Sequence, residues 1–139
     1  MFGPIHHVGY VVKAIDASAA DFQRIGYRIV APPVDDPAYD AEIVFLRREG
    51  AAPGEPLIEL IRPRSEQSAV YAHTKESKLQ IHHVCFAVDD LQTAVADAKR
   101  AKIYQLGQQR PAPAFGGAPI CFLFSRPIGL FELVERPSF

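Results

Sequence analysis

The chain repeats itself. Ile5-His6-His7-Val8-Gly9-Tyr10-Val11-Val12 returns as Ile81-His82-His83-Val84-Cys85-Phe86-Ala87-Val88, with five of eight positions identical and Tyr10 matched by Phe86. A second echo follows in the same order. Leu57-Ile58-Glu59-Leu60-Ile61-Arg62-Pro63 resembles Leu130-Phe131-Glu132-Leu133-Val134-Glu135-Arg136-Pro137. The first pair is offset by 76 residues and the second by 73, so a small insertion separates the copies. Ordered echoes at a near-constant offset mark an internal duplication, and what one copy folds into the other should fold into as well. The expected organisation is a single domain over residues 1–139. Module one covers about 4–63, a polar linker about 64–80, and module two about 81–137.

Each copy carries the same succession of patterns. An apolar strand opens it, at residues 5–12 or 81–88. A helix follows, capped by Asp16 in the first copy and by Asp89-Asp90 in the second. In the second helix, residues 91–101, the apolar Leu91, Ala94, Val95 and Ala98 fall at helical spacing, and Lys99 and Arg100 suit the negative end of its dipole. The first helix, residues 17–25, runs into Gly26, a natural residue just past a helix end. Three strands are then expected in each copy: 27–31, 41–48 and 56–62, then 103–108, 120–125 and 130–135. Gly- and Pro-rich turns such as Pro53-Gly54 and Gly116-Gly117 separate them. The fold class predicted is α+β, βαβββ twice over.

Composition excludes several roles. Fifteen basic against sixteen acidic residues give a net charge of −1, so no electrostatic footprint for nucleic acid or an anionic membrane is present. No apolar run approaches the ~20 residues of a membrane span, and no secretion signal is visible. Two cysteines, Cys85 and Cys121, exclude a disulfide scaffold and fit a reduced cytoplasmic setting.

Chemistry is carried by the repeated positions. Neighbouring strand residues face opposite ways, so one His of each His-His pair faces one side and its partner the other. In each closing strand a single acid, Glu59 or Glu132, is flanked by apolar residues. Such an acid is costly to bury unless it is paired or holds a metal. Two acids and two His pairs in matching places suggest one shared site. A set of two His and two carboxylates suits a borderline divalent ion with positions left for substrate.

These residues resemble the vicinal oxygen chelate superfamily, which includes glyoxalase I, methylmalonyl-CoA epimerase, extradiol dioxygenases and bleomycin-resistance proteins. The likeness runs from about Ile5 to Glu135. It is nearest to the epimerase and glyoxalase-like branch in Ile81-His82-His83-Val84, Phe115-Gly116-Gly117-Ala118, Cys121-Phe122-Leu123-Phe124 and Leu130-Phe131-Glu132-Leu133. The resemblance implies paired βαβββ modules forming a curved, cup-like mixed sheet around a divalent metal. It implies His7, Glu59, His83 and Glu132 as the ligands, leaving His6 and His82 for packing or hydrogen bonding. Cobalt, zinc, nickel, manganese and magnesium are not distinguished.

The same resemblance implies an enzyme that removes a proton next to a carbonyl or thioester. Its substrate would be a small molecule, an acyl-CoA or a glutathione adduct, and the protein a homodimer. Glu132 is one candidate base. Glu42 is a second, although it stands one residue out of register with the branch, and a surface ion pair is its plainer reading. Two further readings stand beside epimerisation: a lactoylglutathione lyase, and a binding protein without catalysis. Arg47-Arg48 and Arg62 with Arg64 are either contacts for a CoA phosphate or glutathione carboxylate, or solvated strand ends. Cys85 should share the face of His83, and His73 has no evident partner. Gln80 replaces the Gly that usually precedes Ile-His-His, and Tyr39-Asp40-Ala41 stands where Gln-Gly-Val is common.

Overall fold

The computed structural model describes residues 2–76 and 79–137. The chain divides into two compact units, His7–His82, and Met1–His6 together with His83–Phe139. The first elements are β1 (Ile5–Val11), α1 (Ile15–Arg24), β2 (Tyr27–Ile29), β3 (Val34–Asp36), β4 (Ala41–Arg48), β5 (Leu57–Pro63) and α2 (Tyr71–Glu76). They are followed by β6 (Ile81–Val88), α3 (Leu91–Arg100), β7 (Tyr104–Ala112), β8 (Ala118–Ser125) and β9 (Gly129–Glu135).

Within the His7–His82 unit the strand order is β2-β4-β5-β1, and β3 pairs on β4. The pairing of β1 with β5 is parallel, and the other pairs are antiparallel. The other unit runs β6-β9-β8-β7, again with its first strand parallel to its last. Each half is therefore a mixed sheet, as the duplicated βαβββ pattern requires.

One face of each half-sheet is covered by that half's long helix. Val12, Val44, Leu46 and Leu60 pack with Ile15 and Ala19 of α1, and Tyr10, Phe22 and Tyr27 close the edge. In the other half Val88, Cys121, Leu123, Phe131 and Leu133 pack with Leu91, Ala94 and Ala98 of α3. Alternation then sends the remaining residues of the same strands to the opposite face.

The lead-in to each first strand joins the other copy's strand. Gly3 donates its N–H to the Ala87 carbonyl at 2.9 Å, and Ala87 returns a bond to Pro4 at 3.0 Å. Phe2 packs on Phe86 and Phe131, with ring centroids 5.8 and 5.7 Å away. Reciprocally, Val11 donates to the Gln80 carbonyl at 2.8 Å. A side chain at Gly3 would meet the Ala87 carbonyl oxygen at 2.5 Å, so only glycine permits this approach.

Three local expectations are corrected. Strand β3 was not expected, because Val34-Asp35-Asp36 is short and acidic. It forms because Val34 and Asp36 stand opposite Ile43 and Ala41 along the free edge of β4. Strand β7 is longer than 103–108. It continues to Ala112 through an irregularity between Leu106 and Arg110, where Gly107 takes φ +67°. Asp16 does not cap α1. The cap position is Ala14, without a side-chain bond, and Asp16 lies in the first turn. Asp90 does cap α3, accepting the Thr93 N–H at 2.6 Å.

This difference predicts unequal losses. Asp90→Ala should lower the urea midpoint of unfolding clearly, because the capping bond to the Thr93 N–H is lost. Asp16→Ala should move the midpoint much less, since only its place in the first turn of α1 is lost.

Candidate functional site

In the His7–His82 unit two buried polar side chains, His7 and Glu59, meet at the junction of β1 and β5. Parallel pairing sets Gly9 beside Glu59 and His7 beside Leu57, so His7 and Glu59 share a face. His7 Nε2 lies 3.1 Å from Glu59 Oε2, with both side chains buried. Across from Glu59 on β4 stands Phe45, whose ring meets the His7 ring edge-on at 5.4 Å.

The second unit reproduces this arrangement. Cys85 stands beside Glu132, and His83 Nε2 lies 2.9 Å from Glu132 Oε2. Phe122 is the residue opposite Glu132, and its ring meets His83 edge-on at 5.2 Å. Each half thus holds a buried imidazole against a buried carboxylate, with a phenylalanine walling the pair. The phenylalanines are the part that sequence reasoning did not assign. The hairpin after Phe45 is longer than the one after Phe122, so the two rings precede their acids by different intervals. Only the strand register reveals their equivalence.

A carboxylate withdrawn from water requires a positive or hydrogen-bonding partner. Imidazole nitrogen and carboxylate oxygen are also the usual donors for zinc and similar divalent ions. Each half-site has the donor chemistry the sequence assigns to it.

Glu42 does not share this face. Phe45 is opposite Glu59, so Ala41, Ile43, Phe45 and Arg47 lie with Glu59, while Glu42, Val44 and Leu46 lie on the side that α1 covers. Glu42 is held by Arg62, Nε to Oε1 3.2 Å, and by Arg64 at 3.6 Å. One residue of register sets Glu42 on the other face from Glu59, where it is an ion-pair partner of Arg62 and Arg64, the plainer of its two readings.

The remaining candidates have defined places. His6 packs edge-on against Phe115 at 5.2 Å. The His82 ring meets that of His73 at 5.2 Å, and His73 Nε2 is 2.8 Å from the Leu79 carbonyl. Cys85 is fully buried on the face of His83, as alternation predicts. Cys121 belongs to the helix-side core. A cleft of about 510 Å³ lined by Phe2, Pro4, Asp90, Thr93 and Arg136 includes neither histidine nor glutamate of the half-sites. Among the described residues no helix is long and apolar enough to cross a membrane.

A fold of two βαβββ halves, each centred on a buried His–Glu pair, defines a class. Residues 5–122 match the glyoxalase/bleomycin resistance protein/dioxygenase superfamily, and the chain belongs to that superfamily. It is 28% identical over 124 residues to the ethylmalonyl-CoA/methylmalonyl-CoA epimerase of Cereibacter sphaeroides, covering 88% of this chain and 89% of that one. The human mitochondrial methylmalonyl-CoA epimerase is 29% identical over 136 residues, 96% of this chain and 74% of the relative. Among solved structures, a Streptomyces coelicolor methylmalonyl-CoA epimerase variant in complex with 2-nitronate-propionyl-CoA superposes with a TM-score of 0.84 at 21% identity. That match covers 97% of this chain and 98% of the other, and it shows the same glyoxalase-like fold.

Burial, helped by the charge of Glu132, pushes the Cys121 thiol up to about 11. An unfolded thiol ionises near about 8.5. Between these values the unfolded chain has lost a proton that the folded chain keeps, so stability should fall as pH rises through that window. Urea titrations from pH 8 to 11 should show the fall, and Cys121→Ala should flatten it. Native Cys121 should also resist iodoacetamide at neutral pH and react only on unfolding.

Proposed function

We propose that the protein epimerises a 2-substituted acyl-CoA thioester, and that His7, Glu59, His83 and Glu132 hold one divalent ion for that purpose. The observation that carries the reading is the matching of the two half-sites: one buried His–Glu pair in each copy, at the same register, behind an equivalent phenylalanine. A structural ion pair would explain one such pair. Its exact repetition, in a superfamily whose relatives include acyl-CoA epimerases, favours a pair of half-sites serving one centre within one domain.

A divalent ion held there would polarise the substrate carbonyl and stabilise the charge that develops on its oxygen as the α-proton leaves. The chain's own groups move that proton. Glu132 takes it from the α-carbon, and the C–H electron pair shifts toward the carbonyl. Return of a proton to the opposite face completes epimerisation. With Glu42 turned to the helix side, the remaining carboxylate of the set is Glu59, and we assign the return step to it. His7 and His83 orient the two carboxylates through their 3.1 and 2.9 Å contacts. Phe45 and Phe122 exclude water, which keeps charge-assisted contacts strong. We further propose that the protein works in the cytoplasm as a homodimer.

Metal analysis tests the shared centre. One equivalent of divalent ion per chain is expected, and each of His7→Ala, Glu59→Ala, His83→Ala and Glu132→Ala should lower it. Two equivalents would mean independent half-sites, and less than about 0.2 would leave a binding protein without metal. Turnover tests the reaction. The purified enzyme in deuterium oxide should place deuterium at the α-carbon of methylmalonyl-CoA. If instead it converts only the hemithioacetal of methylglyoxal and glutathione, the lyase reading replaces this one.

The two carboxylates are separable. Glu132→Gln should reduce epimerisation by at least about 100-fold, the common scale for loss of a general base. Glu59→Gln should still wash the α-proton out of one epimer while failing to interconvert the two. Light scattering should give twice the mass of one chain.

A further inference from the structure

We infer that Arg28 and Arg47 form a subsite for a phosphate of the CoA tail, an assignment that rests on the acyl-CoA reading above. The two stand directly opposite each other on β2 and β4. Like charges opposite one another weaken a sheet unless an anion lies between them. In the same unit every other arginine has an acidic partner. Arg24 pairs with Asp21, Arg48 with Glu55, Arg62 with Glu42, and Arg64 with Asp35. Among the described residues, no carboxylate pairs with Arg28 or Arg47.

Their face gives the pair its meaning. Arg47 is two residues beyond Phe45, so both lie on the Glu59 side of β4, and Arg28 lies with them by register. Arg48, opposite Tyr27, lies on the other side with its own partner, bonded to Glu55 through Nε and Nη2. From strand spacing and rise, the Cα atoms of Arg47 and Arg28 fall about 8 and 12 Å from that of Glu59. That is too distant for the reacting carbonyl. With the length of an arginine side chain added, it suits a group at the far end of a thiol carrier. Two guanidinium forks facing one space match phosphate oxygens, which accept several N–H bonds at once.

The other copy shows that the fold does not demand cations here. The corresponding cross-strand pair is Tyr104 on β7 and Phe124 on β8, one strand step beyond Phe122. Both of those rings are exposed, at 65% and 39%. The duplication has thus kept the His–Glu–Phe group in both halves and changed this outer pair in one.

The test compares carriers with and without phosphates. In Arg28→Gln/Arg47→Gln, KM for methylmalonyl-CoA should rise about tenfold or more while kcat stays within about twofold. With the methylmalonyl thioester of pantetheine, which lacks the phosphates, variant and wild type should have the same KM. An unchanged KM for the CoA thioester, or an equal rise for both thioesters, would overturn the subsite. Calorimetry with adenosine 3′,5′-bisphosphate keeps the two proposals apart, since it needs no turnover. Binding by wild type and its loss in Arg28→Glu/Arg47→Glu supports the arginine subsite even if neither thioester reacts, an outcome that would remove only the epimerase reading. No binding by wild type, or equal binding by the variant, overturns the subsite. Loss of glutathione binding instead would assign the pair to a carboxylate carrier. Thermal melts of Arg28→Gln/Arg47→Gln should match or exceed wild type, because neither side chain has a structural partner to lose and the opposed charges are removed.

Discussion

Glu59 and Glu132 are carboxylates buried in the middle of strands that are otherwise apolar, and the surrounding architecture answers to that cost. Each must run beside a strand that offers a histidine at the right height, which the parallel pairing of first and last strand in each half supplies. Each needs a wall against water, which the antiparallel neighbour supplies as phenylalanine. Each needs its own side of the sheet kept free of the helix, which strand alternation secures by sending Leu60 or Leu133 to the helix face. Removing a histidine would leave a buried carboxylate without its nearest cation-capable neighbour. For that reason such a pair resists piecemeal change more strongly than ordinary core residues do.

Much of this was legible in the sequence because duplication supplies an internal comparison. A lone histidine in an apolar strand says little, but His7 and His83 at equivalent positions, each matched to an acid in a closing strand, say a good deal. Period-two alternation then fixed which residues share a face. What stayed hidden depended on register between strands distant in sequence. Phe45 and Phe122 could not be matched until their partners were known. Glu42 looked like an acid near the site until its pairing with Arg62 showed which way it turns. Strand β3 was invisible because its acidic residues speak against a strand, and an available edge overrode that preference. Arg28 carries no local signal at all, since only the edge pairing of β2 brings it to Arg47.

The two halves have diverged in an ordered way. Positions nearest the acids are conserved in kind: histidine, glutamate, phenylalanine. One step away, Gly9 is matched by Cys85, a change of volume without a change of polarity. Two steps away, arginines are matched by aromatic rings. Divergence between the copies therefore grows with distance from the acids.

The lead-in segments carry a consequence of their own. Residues 2–4 complete the edge of β6, and Gln80 completes that of β1. A chain cut within the linker, ahead of Gln80, would leave each fragment with a first strand still paired to its own last strand but without its lead-in partner, which resides on the other fragment. Two such fragments would find one another only as fast as concentration allows, and could pair with copies of themselves. Carrying both on one polypeptide raises their effective concentration and fixes their ratio at one to one. The linker from 64 to 80 is therefore a guarantor of stoichiometry, and it is what permits the two copies to drift apart in sequence without losing each other as partners.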